Sequence, residues 1–422
     1  MGFFYTENMK NTYKIYTLGC KVNQYDSSLL KTLLNYYGYE EVSGDADFAI
    51  VNTCTVTKNA VHKDGRMINL AKKENPGAKL LLMGCLLRVE NKIERRDEVS
   101  SFSRNIDPEK IFEDFSLKKF KNKEKIFSED FANFDKTRYF IKIQDGCEQF
   151  CSYCIIPYTR GKMKSRKVEE IKEEIEKAIN RGYREIVLSG IHIGLFGREK
   201  NNIEKTSLSE LLREIIKIEG EYRLRISSIE ITELSDDLID LISNSDKICN
   251  HLHISLQSGS DDVLKGMNRP YNTEYFEKRI NKIRELIPDI AISTDLIVGF
   301  PGESNELFNE TINFVKKISF SKLHVFSFSA HEKTPAFKMK NKVNLEKIKE
   351  RSQIMRKISD NLEKEFKDKY KNRKIEALIQ KEKDDYCTGK SEFYFDIKVN
   401  KDDLEGKCVV GNIIETDKFE FI

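Results

Sequence analysis

The sequence predicts an α/β protein in three parts: an open parallel α/β domain, an α/β barrel that is complete or incomplete, and a small C-terminal β-module. Three observations lead to this fold class. Near the N-terminus, short apolar runs alternate with amphipathic helical stretches. Further strand–helix repeats follow between residues 138 and 329. The final segment alternates apolar and polar residues, which is typical of antiparallel strands. The expected domains are residues 10–118, 133–366 and 367–422.

The first domain is predicted from three apolar runs that are separated by single helices. Parallel strands joined in this way carry helices on both faces, so we expect a covered parallel sheet. The charged and weakly periodic residues 90–136 predict a linker with a short helix or two. The predicted elements are a strand at 13–18, a helix at 27–38, a strand at 47–53, a helix at 62–77 and a strand at 78–84.

The barrel is predicted from six apolar runs that alternate with helical stretches such as residues 167–182. In α/β barrels the functional site lies at the carboxyl ends of the strands. A long amphipathic helix at 346–372 and the terminal β-module follow the barrel. The candidate strands are residues 138–146, 185–190, 222–228, 251–257, 289–299 and 322–329.

Composition limits the class of protein. Of the 422 residues, 39% are hydrophobic and 33% are charged, and no apolar run approaches the roughly 18 residues that a membrane helix needs. The N-terminus has neither a basic segment nor a sustained apolar stretch, so export is not expected. We therefore expect a cytoplasmic protein without a membrane partner. The net charge of +3 indicates no nucleic-acid partner by itself.

Nine cysteines are unevenly distributed along the chain. Because the cytoplasm keeps thiols reduced, disulfides are not expected. Two groups of three need an explanation, whereas three scattered cysteines follow no spacing pattern and are interpreted as structural. The first group is Cys20, Cys54 and Cys85, the second is Cys147, Cys151 and Cys154, and the scattered residues are Cys249, Cys387 and Cys408.

The second group has the spacing of a metal-cluster loop. Cys147, Cys151 and Cys154 lie four and then three residues apart, so one loop can bring three thiolates to three irons of a 4Fe–4S cluster. The fourth iron would then be open to another ligand. A zinc site is the alternative, but zinc needs a fourth ligand, and no further Cys or His lies nearby in the sequence. The spacing favours the iron–sulfur cluster.

The first group shares a position relative to predicted strands. Cys20, Cys54 and Cys85 each follow one, and the carboxyl ends of neighbouring parallel strands meet at one edge of a sheet. Each cysteine taken alone would also fit ordinary burial, since free cysteine packs as a small hydrophobe. Their shared position favours a single site.

The segment IQDGCEQFCSYCIIPYTRG, residues 143–161, resembles the radical S-adenosylmethionine (radical SAM) superfamily. The resemblance implies a barrel of the radical-SAM type with a 4Fe–4S cluster on the loop after its first strand. The methionyl group of S-adenosylmethionine would chelate the open iron, and reductive cleavage would give a 5′-deoxyadenosyl radical. It also implies that Phe150 or Tyr153 covers the adenine.

Two turns at the ends of later barrel strands are candidate cofactor contacts. Ser189, Gly190 and His192 occupy the place where the superfamily contacts the methionyl amine, although a strand-to-helix turn would use glycine in any case. Gln257 and Ser258 follow a later strand. Their place at the end of that strand makes them candidates for cofactor contact as well.

The segments YTLGCKVNQYDS (16–27), VNTCTVT (51–57) and MGC (83–85) resemble the methylthiotransferase family within this superfamily. Its members insert sulfur into a C–H bond and then methylate that sulfur. The resemblance implies a second 4Fe–4S cluster on Cys20, Cys54 and Cys85. It also implies two molecules of S-adenosylmethionine per turnover, an external electron donor and an external sulfur source.

Over residues 12–340, finer segments such as HLHISLQSGSD and STDLIVGFPGE most resemble the tRNA N6-threonylcarbamoyladenosine methylthiotransferase branch. That branch implies a tRNA partner modified in its anticodon loop, at C2 of adenosine 37, and a TRAM-like RNA-binding module at the C-terminus. The isopentenyladenosine tRNA branch and the ribosomal-protein aspartate branch are the alternatives. A redox or RNA-binding iron–sulfur protein without radical chemistry is an alternative of another class.

Two basic segments are candidates for RNA contact. Residues 160–167 hold five cations and no acid, and residues 346–374 hold eleven basic residues against six acids. Clustered cations bind phosphate backbones by releasing counterions. A charge run can equally be a solvated face, so the charge pattern favours RNA binding only together with the family resemblance.

Overall fold

The structure is a computed structural model that describes residues 11–55, 58–89, 99–105, 107–119, 137–199, 205–404, 406 and 408–422. The chain divides into two compact units. The first is Met1–Phe134 with Ile155–Gly161, and the second is Asp135–Cys154 with Lys162–Ile422. The predicted fold class is confirmed: a parallel α/β sheet, an α/β barrel and a small antiparallel sheet. Within the described ranges, no helix combines the length and the apolar character that crossing a membrane requires.

The first unit is a parallel sheet of five strands in the order β2-β1-β3-β4-β5. Alternate side chains of each strand point to opposite faces, and both faces are apolar. Tyr13, Ile50 and Leu81 pack against α1 and α3, while Val51 and Leu82 pack against α2. The elements are β1 Thr12–Thr17, α1 Lys21–Tyr36, β2 Glu40–Glu41, β3 Phe48–Thr53, α2 Lys58–Glu74, β4 Lys79–Gly84, β5 Val99–Phe102, α3 Pro108–Asp114 and, after the chain has entered the second unit, α4 Ile156–Arg160.

The predicted linker over 90–136 is partly wrong. It contains the helix α3, as expected, but also the edge strand β5, which pairs with β4. The sequence of β5, VSSF, is short and polar, so no apolar run indicated it. Residues 90–98, 106 and 120–136 lie outside the described residues.

The second unit contains an arc of six parallel strands. β6, β9 and β10 form one ladder and β11, β12 and β13 form another. The isolated bridges Leu224–Ile248 and Ile229–Ile254 connect the two ladders. In the described part of the chain no ladder joins β6 to β13, so the barrel is incomplete. The elements are β6 Arg138–Lys142, β7 Gln144–Asp145, β8 Lys164–Ser165, α5 Val168–Asn180, β9 Glu185–Ser189, α6 Leu208–Ile216, β10 Arg223–Ile226, α7 Asp236–Ser243, β11 His251–His253, α8 Asp261–Gly266, α9 Thr273–Leu286, β12 Ala291–Val298, α10 Asn305–Ile318 and β13 Lys322–Ser327.

A long helix leads into the terminal antiparallel sheet, whose strand order is β17-β14-β15-β16-β18. Phe366 of α11 and Tyr370, just after the helix ends, pack against Phe393 and Phe395 in the turn between β15 and β16, so helix and sheet share one core. The predicted antiparallel module is confirmed. The elements are α11 Leu345–Asp368, β14 Ile375–Glu382, β15 Tyr386–Ser391, β16 Asp396–Asn400, β17 Ile413–Thr416 and β18 Glu420–Phe421.

The terminal module contains a disulfide, which the sequence did not predict. Cys387 and Cys408 form a bond across 21 residues, with their Cα atoms 6.2 Å apart. The expectation that all nine cysteines are reduced is therefore wrong for these two. It rested on the redox state of the cytoplasm and not on any geometry. Only folding of the small sheet brings two such distant cysteines together.

A buried charge cluster attaches this module to the amino ends of the barrel strands. Glu185, the first residue of β9, pairs with Arg223 and Arg225 of β10. Burial alone would raise the pKa of Glu185, but the neighbouring guanidiniums outweigh it and lower the pKa to about 2. Arg225 also donates to the carbonyls of Ser391 and Glu392. The module therefore covers the end of the barrel opposite the carboxyl ends of its strands.

Candidate iron–sulfur sites

The three early cysteines lie together at the carboxyl edge of the first sheet. Cys54 directly follows β3 and Cys85 directly follows β4, while Cys20 follows β1 after a short turn. The backbone N–H of Cys85 donates to the carbonyl of Thr53 at 3.1 Å, which joins two of these ends. A Cβ built on Gly19 would lie 3.1 Å from Sγ of Cys54, so the end of β1 reaches the same point. The convergence that the sequence predicted is present.

Asn23 on α1 connects all three strand ends. Its Nδ2 donates to the carbonyl of Leu18 at 2.8 Å and to that of Thr53 at 2.9 Å. Its Oδ1 lies 3.8 Å from Sγ of Cys85. Asn23 is 1% exposed, so these bonds are not replaced by water. Sequence reasoning missed this residue, because an asparagine inside a helix carries no spacing signal.

Glycine is required directly before two of these cysteines. Gly19 and Gly84 have φ values of +105° and +103°, which residues with a Cβ rarely adopt. A Cβ on Gly84 would lie 2.4 Å from the carbonyl oxygen of Thr53. Because Gly84 has no side chain, β3 and β4 can end side by side. The residue after each glycine is a cysteine, Cys20 after Gly19 and Cys85 after Gly84.

The electrostatics of this edge differ between its cysteines. Cys20 precedes the first residue of α1, where the helix dipole favours negative charge. Burial raises the pKa of the Cys85 thiol, and the positive charge of Arg160 opposes this rise. Asp64, fully buried, accepts from the backbone N–H of Cys54 at 3.0 Å. Burial raises the pKa of Asp64 to about 7, although the hydrogen bond from Cys54 opposes that change.

The second cysteine group occupies the loop that follows the short strand β7. Nη1 of Arg269 lies 3.1 Å from Sγ of Cys151, and Nδ1 of His192 lies 3.4 Å from Sγ of Cys147. The backbone N–H of Ser152 donates to the carbonyl of Met267 at 3.0 Å. Side chains and backbone that follow other barrel strands therefore fix the loop.

His192 forms a buried pair with Glu233 on the side away from Cys147. Burial by itself would lower the pKa of His192. The hydrogen bonds to Cys147 and Glu233 outweigh this effect and raise the pKa to about 9. The imidazole is thus held between a cysteine and a carboxylate, which fixes its orientation. Glu233 and Arg269 were missed in the sequence because neither has a fixed spacing from the cysteines.

Gln144 is a fourth residue that sequence reasoning missed. Its Nε2 donates to the carbonyls of Asp145 and Gly146, just before the cluster loop. Its Oε1 accepts from the backbone N–H of His192 at 2.8 Å. Gln144 therefore ties the start of the cysteine loop to the turn after β9.

A cavity of about 470 Å³ opens beside this loop, within the usual range for a small-molecule site. Its walls combine the cysteine loop with the turns after β9, β10 and α8. Most of the residues that line it are polar or charged, which suits a polar ligand. The lining includes Glu148, Gln149, His192, Glu233, Asn268 and Arg269.

Seven residues are predicted to contact the cofactor. One of them, His192, lines this cavity. Ser189 donates its hydroxyl to the carbonyl of Ile141 at 2.9 Å, so that group is used inside the sheet. A Cβ on Gly190 would lie 2.8 Å from the carbonyl oxygen of Gln144, so glycine serves close packing there. Their proposed cofactor role remains a prediction.

The other four predicted residues lie in different environments. Phe150 is 51% exposed and has a φ of +50°. Tyr153 packs against an apolar cluster that contains Met267, and burial raises its pKa well above the usual value. Gln257 and Ser258 are buried, and the hydroxyl of Ser258 lies 3.2 Å from that of Thr311. Phe150 is thus the most exposed of the four.

Both cysteine groups have the donor chemistry of iron–sulfur sites, since each offers three thiols. Among the residues that the structure describes, no three His, Cys, Asp or Glu side chains are grouped closely enough to hold a single metal ion. A 4Fe–4S cube occupies a wider space, because each thiolate binds a different iron. Three thiols in each group are the donor set of a 4Fe–4S cluster whose fourth iron is open.

The basic segment 160–167 is less available to RNA than its charge suggests. Arg160 is 5% exposed and pairs with Asp26. Nη1 of Arg166 lies 2.6 Å from Oε2 of Glu174. Two of the five cations are thus used within the protein, whereas Lys162, Lys164 and Lys167 are exposed.

Comparison with known proteins identifies the class of this chain. Residues 141–315 match the radical SAM superfamily, and residues 12–102 match a family described as the uncharacterized protein family UPF0004. The fold resembles that of a solved radical S-adenosylmethionine methyltransferase, TsrM from Kitasatospora setae. That likeness has a TM-score of 0.57 at 13% identity and covers 78% of this chain and 74% of the other. The chain is a radical SAM enzyme.

Curated relatives narrow the class to one family. The chain is 34% identical to the threonylcarbamoyladenosine tRNA methylthiotransferase of Bacillus subtilis, over 96% of this chain and 94% of the relative. It is 37% identical to the protein of the same name from Aquifex aeolicus, over 94% and 98%. It is also 36% identical to the tRNA-2-methylthio-N(6)-dimethylallyladenosine synthase of Clostridium tetani, over 89% and 87%. The chain belongs to the radical SAM methylthiotransferase family.

Proposed function

We propose that this enzyme inserts sulfur at C2 of N6-threonylcarbamoyladenosine 37 in the anticodon loop of tRNA and then methylates it. The product is 2-methylthio-N6-threonylcarbamoyladenosine. The observation that carries the proposal is the presence of two separate three-cysteine sites, each at the carboxyl edge of a parallel sheet. Relatives named for this activity cover nearly the whole chain, which supports the choice of substrate.

Each three-cysteine site has its own part in this proposal. Cys20, Cys54 and Cys85 would hold one 4Fe–4S cluster at the first site, and Cys147, Cys151 and Cys154 would hold another at the second site. The cluster of the second site would supply reductive cleavage of S-adenosylmethionine when bound. The cluster of the first site would carry the sulfur, and a further molecule of S-adenosylmethionine would donate the methyl group. An electron donor and a sulfur source must come from outside the chain.

The protein's own residues prepare the cofactor site. We assign S-adenosylmethionine to the cavity beside the cysteine loop, where His192 and Arg269 approach the thiols. The pair with Glu233 holds the imidazole of His192 in one orientation. Arg269 contributes a buried positive charge beside Cys151, which stabilises thiolate ligands. A cytoplasmic location is consistent with a tRNA substrate.

A second candidate is methylthiolation of dimethylallyladenosine in tRNA. Relatives named tRNA-2-methylthio-N(6)-dimethylallyladenosine synthase reach 37% identity over 78% of this chain and 36% identity over 89%. The identity values of the two branches overlap, so identity alone does not separate them. Coverage favours the threonylcarbamoyl branch, since two of its relatives cover 94% and 96% of this chain, against 89% for the synthase of Clostridium tetani. Segments such as HLHISLQSGSD and STDLIVGFPGE also favour that branch.

Mass spectrometry of tRNA nucleosides tests both candidates at once. We expect cells that lack this protein to lose 2-methylthio-N6-threonylcarbamoyladenosine and to accumulate the precursor without sulfur. The wild-type gene should restore the product, and a Cys20→Ala gene should not. Loss of the 2-methylthio-dimethylallyl nucleoside instead would establish the second candidate. A nucleoside profile without change would contradict both.

A further inference from the structure

A buried arginine of the first unit has no part in the chemistry described so far. Arg160 ends α4, a helix of five residues, and the segment Ile155–Gly161 belongs to the first unit. Its side chain is 2% exposed. A buried guanidinium is costly unless charges or hydrogen-bond acceptors compensate for it. The partners of Arg160 therefore indicate what its charge does.

Two side chains of α1 hold this guanidinium. Nη1 of Arg160 lies 2.7 Å from Oδ2 of Asp26, whose side chain is 4% exposed. Nη2 donates to Oδ1 of Asn23 at 2.5 Å. Both partners lie in the first half of α1, which begins directly after Cys20. The guanidinium is thus fixed near the end of the helix that carries a cysteine of the first site.

Arg160 also reaches the cysteine site itself. Its positive charge opposes the rise in the pKa of the Cys85 thiol that burial causes, so the guanidinium acts on that thiol at short range. Oδ1 of Asn23, which accepts from Arg160, lies 3.8 Å from Sγ of Cys85. Because Arg160 and Cys85 are both buried, solvent ions do not screen this contact as they would at the surface.

A 4Fe–4S cluster held by three thiolates has a net negative charge, which a nearby cation stabilises. Three thiolates bring negative charge to a site where Cys54 and Cys85 are buried. Sulfur bound to the open iron would add more. Uncompensated charge in such a place is strongly destabilising. Hydrogen bonds and charges near the sulfurs also set the reduction potential of iron–sulfur clusters.

We propose that Arg160 is a positioning residue of the first three-cysteine site: held by Asp26 and Asn23, it keeps a fixed positive charge against Cys85 and so stabilises the cluster and the anionic sulfur that the cluster binds. This inference rests on the proposed function, because it requires a cluster at Cys20, Cys54 and Cys85. Removing the charge disfavours addition of an electron, so the midpoint potential of this cluster becomes more negative.

The test isolates the first cluster. In a parent chain with Cys147→Ala, Cys151→Ala and Cys154→Ala, prepared anaerobically, the iron content and the EPR-monitored midpoint potential report the first site alone. Addition of Arg160→Met should weaken iron retention against a chelator roughly 10-fold and shift the midpoint potential to more negative values. Arg160→Lys keeps the charge and should restore the potential.

Two further variants separate electrostatics from folding. Arg160→Met leaves Asp26 buried without its cation, so the double variant Arg160→Met with Asp26→Asn removes that charge as well. Arg351 provides a matched control, because its Nη1 lies 2.7 Å from Glu303 in the second unit and both side chains are at most 5% exposed. Arg351→Met should lower stability but leave the midpoint potential of the first cluster unchanged.

The outcomes distinguish the two proposals. If the parent chain binds no iron, the first cluster is absent and the proposed function fails. If the parent binds iron, but folded Arg160→Met and the double variant keep its potential and chelator resistance, the inference about Arg160 fails alone. A negative shift in potential in a folded variant, reversed by Arg160→Lys and absent in Arg351→Met, supports it.

Discussion

The two three-cysteine sites are built in opposite ways. Cys20, Cys54 and Cys85 come from three strand ends that are distant in the chain, so the parallel sheet itself assembles the first site. Cys147, Cys151 and Cys154 lie on one loop, so the sequence alone brings the ligands of the second site near each other. The rest of the second unit orients that loop.

This difference determines which residues each site depends on. At the first site, hydrogen bonds from Asn23 to two strand ends hold the cysteines in register. At the second site, His192 and Arg269 contact the sulfur atoms directly. We therefore expect damage to the first site to remove its cluster. Damage around the second site should leave the cluster in place and change its reactivity.

The largest expected effect separates the two sites by function. Cys147→Ala should abolish reductive cleavage of S-adenosylmethionine, because the second site would lose a ligand to its cluster. Cys20→Ala should abolish thiolation of the substrate while cleavage continues. Formation of 5′-deoxyadenosine under dithionite, with product analysis in parallel, measures both. Continued 5′-deoxyadenosine formation by Cys147→Ala would contradict the assignment.

The next effect tests assembly by the sheet. Asn23→Ala removes the side-chain donor from the carbonyls of Leu18 and Thr53, while the carbonyl of Thr53 keeps its bond from the N–H of Cys85, so each lost bond costs roughly 0.5–1.5 kcal/mol. We expect iron binding at the first site to weaken roughly 100-fold, with the iron of the second site retained. Iron content of each variant, measured in chains that keep only one cysteine group, gives the comparison.

Asn75→Ala is the matched control for Asn23→Ala. Asn75 is fully buried in the same unit, donates to Ala71 and Tyr16, and accepts from Ala46. Its loss should lower the stability of the unit by a similar amount and leave iron binding intact while the chain is folded. Equal iron loss in both variants would show that iron binding at the first site depends on the stability of the unit in general and not on the contacts of Asn23.

The two sites also differ in how far the sequence predicted them. The ligand spacing of the loop site is local, so it was read directly from Cys147, Cys151 and Cys154. The first site was predicted indirectly, because strand ends in a parallel sheet converge whatever their distance in the chain. Both predictions required only the cysteines and the positions of the strands.

The supporting residues could not be predicted from the sequence. Asn23, Gln144 and Arg269 act through contacts between distant segments, and neither asparagine, glutamine nor arginine has a fixed spacing from a cysteine. The same limit explains the missed disulfide between Cys387 and Cys408. Strand β5 was missed for a different reason, since its sequence is too polar to appear as an apolar run.

A smaller effect tests orientation at the second site. Arg269→Met removes the guanidinium that lies 3.1 Å from Sγ of Cys151. We expect cleavage of S-adenosylmethionine to slow roughly 10-fold while both clusters are retained. Arg279→Met is the control, because Arg279 pairs with the exposed Asp236. Loss of iron from the second site in Arg269→Met would mean that Arg269 is needed to retain the cluster, and that its effect is not limited to the rate of cleavage.

The smallest effect concerns Cys249, which belongs to neither site and is 4% exposed. Burial raises the pKa of Cys249 to about 11, although Arg225 and Arg223 oppose this rise. Because only the thiolate is alkylated, the neutral thiol should resist iodoacetamide at pH 8, and its rate should increase with pH up to about 11. In the apo protein, mass spectrometry should find label on the exposed Cys20 and not on Cys249. Rapid labelling of Cys249 in the folded chain would mean that its surroundings open, and its structural role would then need another explanation.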